Sequence, residues 1–421
     1  MKYLKFKQKI FERLLLILLL LPPISFLFYA FTGVFFNFNT LNFIIYILLI
    51  CLLLSSIRWV SRSSVNYLLV FLGVLIVNLA GHVMNQGGDG LVDFLKTISG
   101  YYMFVIMGIL IYQLYYKQDQ TERLLKMVVR FGIFISVVNL FHYIYIATDD
   151  YVHSNWSIEF DNYQLMADYL NELNKSFFDY ILIGLNYDNA LRPVGFFYDT
   201  HAQYYFPLAS CIIMLFNPKI VRYSKVLILF MVSTIILSSI KTAILSIFIL
   251  VFIWMLLNSN VKKLMIYVIP ALLLVAFVFR NLLLTMLLGE NMLKIMVQLF
   301  NHLVYVPMMF FSNNIVGFLI GGTSFLRDDP NYYSEVFWVT VTFYIGITGL
   351  IVYLQPLRLL KGIKNPKWTM AAYLFLSMAL SMAHYGVYAV GVNNLVSALP
   401  VMYCLAYMND NYNKEKEKKY D

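Results

Sequence analysis

Charge is what this chain has least of. Only 13% of its 421 residues are Asp, Glu, Lys or Arg, against 61% hydrophobic, and the mean hydropathy is +0.73. A soluble fold has no core large enough to hide that much apolar surface, so the composition excludes an ordinary soluble domain. Cysteine is scarce as well: Cys51, Cys211 and Cys404 all lie inside apolar runs, where they behave as small hydrophobes and give no disulfide or metal framework. No Walker loop, dinucleotide fingerprint, GxSxG elbow or HExxH run occurs, which disfavours nucleotide hydrolysis and serine or zinc hydrolase chemistry. His82, His142, His153, His302 and His384 share no ligand spacing. No metal and no cofactor is expected.

What is present is a succession of apolar runs. A membrane-spanning helix needs about 20 mostly apolar residues, and about twelve such runs recur along the chain. The expected fold is therefore all-α and integral to a membrane: residues 1–421 form one polytopic domain of about twelve transmembrane helices, with two long outer loops carrying short amphipathic helices. The basic start Met1–Arg13 leads into Leu14–Phe31, a run that holds Pro22 and Pro23 and lacks a small-residue cleavage site, so it is expected to be the first span and not a signal peptide.

The formal net charge is +9. It does not point to nucleic acid, because the cations collect in alternate short connections: Arg58 and Arg62; Lys117, Arg123, Lys126 and Arg130; Lys219, Arg222 and Lys225; Arg358, Lys361, Lys364 and Lys367. The positive-inside rule places those connections and both termini in the cytoplasm. Most acids fall on the opposite side, among them Asp89, Asp93, Asp188 and Asp199. A cation there is the exception that asks for a reason, and Arg192, Lys241, Arg280 and Arg327 all stand at or near outer span ends.

Two outer loops are long. Residues 147–200 are acidic and aromatic, and Asp161 with Gln164 can cap a short amphipathic helix along Tyr163, Met166, Leu170 and Leu173. The aromatics can stack on sugar rings or simply form a membrane-interface belt. Residues 281–333 begin with a run too interrupted by Glu290, Lys294 and Gln298 for a comfortable span, which suits a re-entrant or interfacial helix. The loop continues through an Asn- and Gly-broken stretch in which Gly321 and Gly322 permit tight backbone. Asp328 and Asp329 are adjacent and precede Pro330, which suits a turn better than a metal pair. Irregular chain at membrane depth is tolerated only where protein or water covers it, so this loop is expected to line a cavity.

The stretch RPVGFFYDTHAQYYFPLAS from Arg192 enters a span; LSSIKTAILSIFIL follows, then the glycine-bearing loop, then YYSEVFWVTVTFYIGITGLIVYL. This order resembles that of Wzy-type O-antigen and capsular polysaccharide polymerases and the related O-antigen ligases, over roughly Arg192–Leu354. The resemblance implies an inverting, metal-independent glycosyltransferase in the bacterial cytoplasmic membrane. Its donor would be an undecaprenyl-diphosphate-linked oligosaccharide, with a chain-length regulator (copolymerase) as a further partner.

The residue types suit that chemistry. A diphosphate leaving group gains negative charge as the glycosidic bond breaks, and a guanidinium meets phosphate oxygens bidentately. Arg192 is the first choice, with an ion pair to Asp188 or Asp199 as the competing reading. Lys241 follows in SSIKTA, where a snorkelling Lys at a hairpin tip is the alternative, and Arg280 and Arg327 complete the diphosphate set. The base for the acceptor hydroxyl is expected among Glu335, His201 and Asp199. Ligase relatives tend to carry a His followed by Asn where Ser334 and Glu335 stand here, which leans the resemblance towards a polymerase. A transporter or flippase of lipid-linked oligosaccharide remains the reading from another class.

Overall fold

A backbone surrounded by hydrocarbon must satisfy its own hydrogen bonds, which a helix does within a single segment. In the computed structural model of the protein, every regular element among the described residues is helical. The described residues are 2–32, 39–56, 62–116, 119–148, 202–237, 241–257, 297, 300–332, 334, 336–382 and 393–417. The chain is a helical membrane protein: among those residues three helical stretches, Val65–Leu114, Thr121–Phe141 and Phe337–Gly362, are long and apolar enough to cross a bilayer. Other apolar runs form shorter helices such as Tyr204–Phe216 and Ser224–Leu237. At 1.5 Å per residue, a helix of 14 residues such as Ser224–Leu237 covers only about 21 Å of a hydrocarbon core about 30 Å thick. The expected amphipathic helix after Asp161 and the run 282–296 lie outside the described residues.

The chain divides into two compact units. The first comprises Met1–Ile76, Leu95–Ile244 and Ile351–Asp421, and the second Val77–Phe94 and Leu245–Leu350. In chain order the α-helices are α1 (Lys2–Thr32), α2 (Asn39–Ser56), α3 (Arg62–Gln86), α4 (Gly90–Thr97), α5 (Met103–Leu114), α6 (Thr121–Thr148), α7 (Ala202–Phe216), α8 (Ser224–Leu237) and α9 (Lys241–Leu257). They continue with α10 (Val306–Asn313), α11 (Ile315–Ile320), α12 (Phe337–Leu354), α13 (Pro366–Ser381) and α14 (Asn393–Glu417).

The first unit is built around α5, whose every residue is buried, as expected of a helix that is apolar all round. Small residues set its closest contact. A Cβ on Gly108 would stand 2.6 Å from the Val401 Cβ and 2.9 Å from the Ala398 carbonyl of α14. Between α6 and α7, Gly132 faces the Ser210 side chain, and Phe131 meets Phe206 edge-on at 5.1 Å. Close backbone approach at small residues is how helices pack where lipid removes the usual apolar driving force. Outward faces stay greasy: Leu48 and Leu54 of α2 and Leu69, Leu72 and Ile76 of α3 are all exposed.

Polar side chains tie this unit at one end of α1. Lys7 donates to the Ser55 carbonyl at 2.6 Å and to Ser56 Oγ at 3.2 Å. Glu12 accepts from Tyr115 Oη at 2.9 Å and pairs with Arg123 at 2.7 Å. Cys51 is exposed and Cys211 and Cys404 are buried, all as free thiols.

In the second unit Phe310 packs edge-on against Phe343 at 4.7 Å, within a core that also holds Val306, Tyr332, Val336 and Val339. The described part of the expected 281–333 loop is not open chain. It is a string of short helices: a π turn at Asn301–Tyr305, then α10, α11 and two 3-10 turns, Ser324–Asp328 and Pro330–Tyr332.

The packing at Gly108 gives a paired prediction. Gly108→Ala must displace α14 and is expected to cost about 1–3 kcal/mol, read as a fall in unfolding temperature in detergent. Gly73→Ala, where an added methyl meets nothing within 4 Å, should leave the unfolding temperature level or slightly raised.

Candidate functional site

The last turns of α3 carry a polar stripe inside an apolar span. Asn78, Gly81, His82, Asn85 and Gln86 recur at spacings of three and four, which puts them on one helix face. The chain then reverses. On one continuous helix His82 and Asp93 would be about 16 Å apart, yet His82 Nδ1 lies 2.8 Å from Asp93 Oδ2. Glycines make the reversal possible: Gly87 has φ +60°, and a Cβ on Gly90 would stand 2.3 Å from the His82 carbonyl.

The opposite wall of the site is irregular backbone. Asn314 caps α11 by accepting from the Gly317 amide at 2.7 Å, and the helix stops at Gly321 and Gly322, with φ of +82° and +81°. Helix α12 is itself interrupted at Gly346, where φ is 62° and ψ 179°, a conformation open essentially only to glycine. The break frees carbonyls of the preceding turn to take other donors. The Tyr344 carbonyl accepts from Asn78 Nδ2 at 2.8 Å, from His82 Nε2 at 3.1 Å and from the Gly322 amide at 3.2 Å. The Phe343 carbonyl accepts from the Thr323 amide at 2.8 Å and its hydroxyl at 3.0 Å. Asn78 Nδ2 also reaches the Ile320 carbonyl at 2.9 Å, and Asn85 Nδ2 the Gly321 carbonyl at 3.2 Å.

Asp93 joins the two walls. Its Oδ2 accepts from Ser324 Oγ at 2.6 Å and from Gln86 Nε2 at 3.0 Å. His82 Nε2 faces a carbonyl, so it must carry a proton. On the other side of the ring, His82 Nδ1 lies close to the Asp93 carboxylate, at 2.8 Å from Oδ2. The approach is close without being aligned, since Nδ1 has no hydrogen-bond partner of good geometry. The His82 side chain is fully buried and that of Asp93 is 19% exposed, so the cluster runs from the protein interior to its surface. Chemically this is a latch, a carboxylate that gathers donors from both walls. It does not have the order of a Ser-His-Asp triad, because Ser324 bonds to the Asp93 carboxylate and not to the His82 imidazole.

The latch holds the segment that carries two residues singled out from the sequence. The backbone of Arg327 lies in the 3-10 turn Ser324–Asp328, while its side chain lies outside the described residues. Beyond it Asp329 Oδ1 accepts from the Asn331 amide at 2.9 Å, a side-chain turn, and Tyr332 Oη accepts from Asn313 Nδ2 at 2.8 Å. Glu335 lies outside the described residues, but both its neighbours are anchored. Ser334 Oγ accepts from the Val336 amide at 3.2 Å, and the Ser334 carbonyl accepts from Thr340 Oγ1 at 2.7 Å. The backbone of Lys241 opens α9, its side chain again outside the described residues. Arg192, Asp199, His201 and Arg280 are wholly outside them.

His82 and Asp93 were not reached by sequence reasoning, which looked for metal-ligand spacing. Among the described residues no three His, Cys, Asp or Glu side chains gather as a metal site. The available signal was the helix-period polar stripe ahead of the turn GGDG at Gly87–Gly90.

Removing the acceptor should loosen this unit. Asp93→Ala strands the Gln86 and Ser324 donors, removes the carboxylate beside His82 and is expected to cost about 3 kcal/mol. In a double-mutant cycle with His82→Ala, a coupling of about 1 kcal/mol or more is expected in thermal unfolding. No known family, no curated protein and no solved structure matches the chain.

Proposed function

We propose that this protein is a surface-polysaccharide polymerase of the bacterial cytoplasmic membrane. It transfers an undecaprenyl-diphosphate-linked glycan onto a lipid-linked repeat unit at the outer face. The proposal includes the finer topology: about twelve spans, both termini cytoplasmic, and a cationic set of Arg192, Lys241, Arg280 and Arg327 for the diphosphate. Glu335, His201 and Asp199 are the proposed bases.

The single observation that carries this reading beyond motif order is the folded state of residues 314–332, with Ser334 and Val336 anchored beyond them. Charge stabilisation of a leaving diphosphate requires donors already in place when the bond breaks. A loop pinned through Asn78, His82 and Asp93 supplies a fixed mount for Arg327 and for the anchored neighbours of Glu335. In this reading His82 and Asp93 are positioning residues.

A second reading has one observation in its favour. A helix broken at Gly346 with bared carbonyls, facing short helices that end in glycine, is the kind of discontinuous element on which transporters build substrate sites. A flippase of lipid-linked oligosaccharide would use the same break to move and not to hold.

Deletion in a host that makes the surface glycan separates the readings. Polymerase loss leaves single repeat units, ligase loss leaves full-length chains on the carrier lipid, and flippase loss leaves repeats on the cytoplasmic side. Arg192→Ala is expected to reproduce the single-repeat phenotype, and Asp93→Ala to shorten chains. Long chains persisting after deletion, or unchanged chain length in Arg192→Ala, would exclude the polymerase.

A further inference from the structure

The first unit contains a groove of about 840 Å³ between α1 and α6 that the proposed reaction does not use. One wall is apolar, formed by Leu16, Leu19, Phe131 and Phe134, and two of these, Leu16 at 53% and Phe134 at 42%, are left exposed. The other is charged, yet most of its charge is already spent. Arg123 pairs with Glu12 at 2.7 Å and Lys126 with Glu122 at 3.2 Å. Asp119 also lines a neighbouring cavity with Lys367, where the two charges attract.

That leaves Arg130. It is exposed, it lines the groove, and among the described residues it makes no ion pair or hydrogen bond. It lies nine residues into the spanning stretch Thr121–Phe141, about 13 Å along the helix axis, and so within the helix and not in the short connection where the charge pattern put it. A cation at that position, beside Phe131 and Phe134, is costly without an anion. The demand is for a ligand with a negatively charged head and an apolar body, and the groove volume falls within the roughly 300–1,000 Å³ of ordinary ligand sites.

We propose that this groove binds one anionic glycerophospholipid, with its phosphate on Arg130 and an acyl chain along Leu16, Leu19 and Phe134. Basic pockets between spanning helices hold lipid head groups by this same pairing of charge and apolar wall. The lipid binds α1 to α6 and completes the one cation that the protein leaves unpaired there. This inference requires only that the chain is a membrane protein and is independent of the polymerase reading.

The test uses the full-length protein in neutral detergent, with palmitoyl-oleoyl phosphatidylglycerol as the probe and phosphatidylcholine of the same chains as the comparison. Native mass spectrometry should show one retained phosphatidylglycerol, and the unfolding temperature should rise with that lipid alone. Arg130→Gln should weaken binding about tenfold, Arg130→Lys should keep most of it, and Lys219→Gln should change nothing. Phe134→Ser, which leaves the cation in place, should also weaken binding. Equal retention of both lipids, or unchanged binding in Arg130→Gln, overturns the proposal. So does competition by inorganic phosphate at equal strength, or stoichiometric displacement by a polyprenyl diphosphate, which would assign the groove to a different ligand.

Discussion

A carbonyl released from a helix inside an apolar protein must find a donor, and in the second unit that requirement is concentrated at Phe343 and Tyr344. Helix α12 breaks at Gly346, and the donors that meet the bared oxygens come from Asn78 and His82 of α3 and from the amides of Gly322 and Thr323. A lost hydrogen bond there would cost the full desolvation of a buried polar group. The break, the polar stripe on α3 and the glycine turn therefore belong to one arrangement, none of whose parts is stable in this form without the others.

Close approach is the second half of that arrangement. A Cβ on Gly322 would stand 2.3 Å from the His82 amide nitrogen, and one on Gly81 would stand 2.7 Å from the Gly321 oxygen. Backbone meets backbone, with little room for compliant side chains between them. Such close contact leaves the joint little room to shift without a clash. Exposure rises from His82, whose side chain is fully buried, to Asp93, which is 19% exposed, so the latch reaches from the interior towards the surface.

In the first unit the polar groups serve differently. Charges gather near the ends of α1 and α6, and the buried length of α5 depends on Gly108 and Ala398 for contact. Arg130 is the exception: a cation within a spanning helix, beside aromatic rings and an open groove.

Much of this was legible in the residues. Low charge and long apolar runs dictate helices in a membrane, because only helices or closed barrels satisfy backbone groups there. Gly321 and Gly322 announced tight backbone, and Asp329 ahead of Pro330 announced a turn. The pairing of His82 with Asp93 was not legible. They are eleven residues apart, and only the reversal at Gly87–Gly90 converts a separation of about 16 Å into a 2.8 Å contact. Nor could the run FWVTVTFYIGITGLIVYL reveal its break, since an apolar segment with two glycines satisfies the hydropathy of an unbroken span. Sequence by itself determined the solvent this protein lives in and the kind of secondary structure that solvent permits, because both follow from local composition. Tertiary structure alone decided which carbonyls are bared and which distant side chains answer them, because hydrogen bonds depend on positions in space that composition does not record.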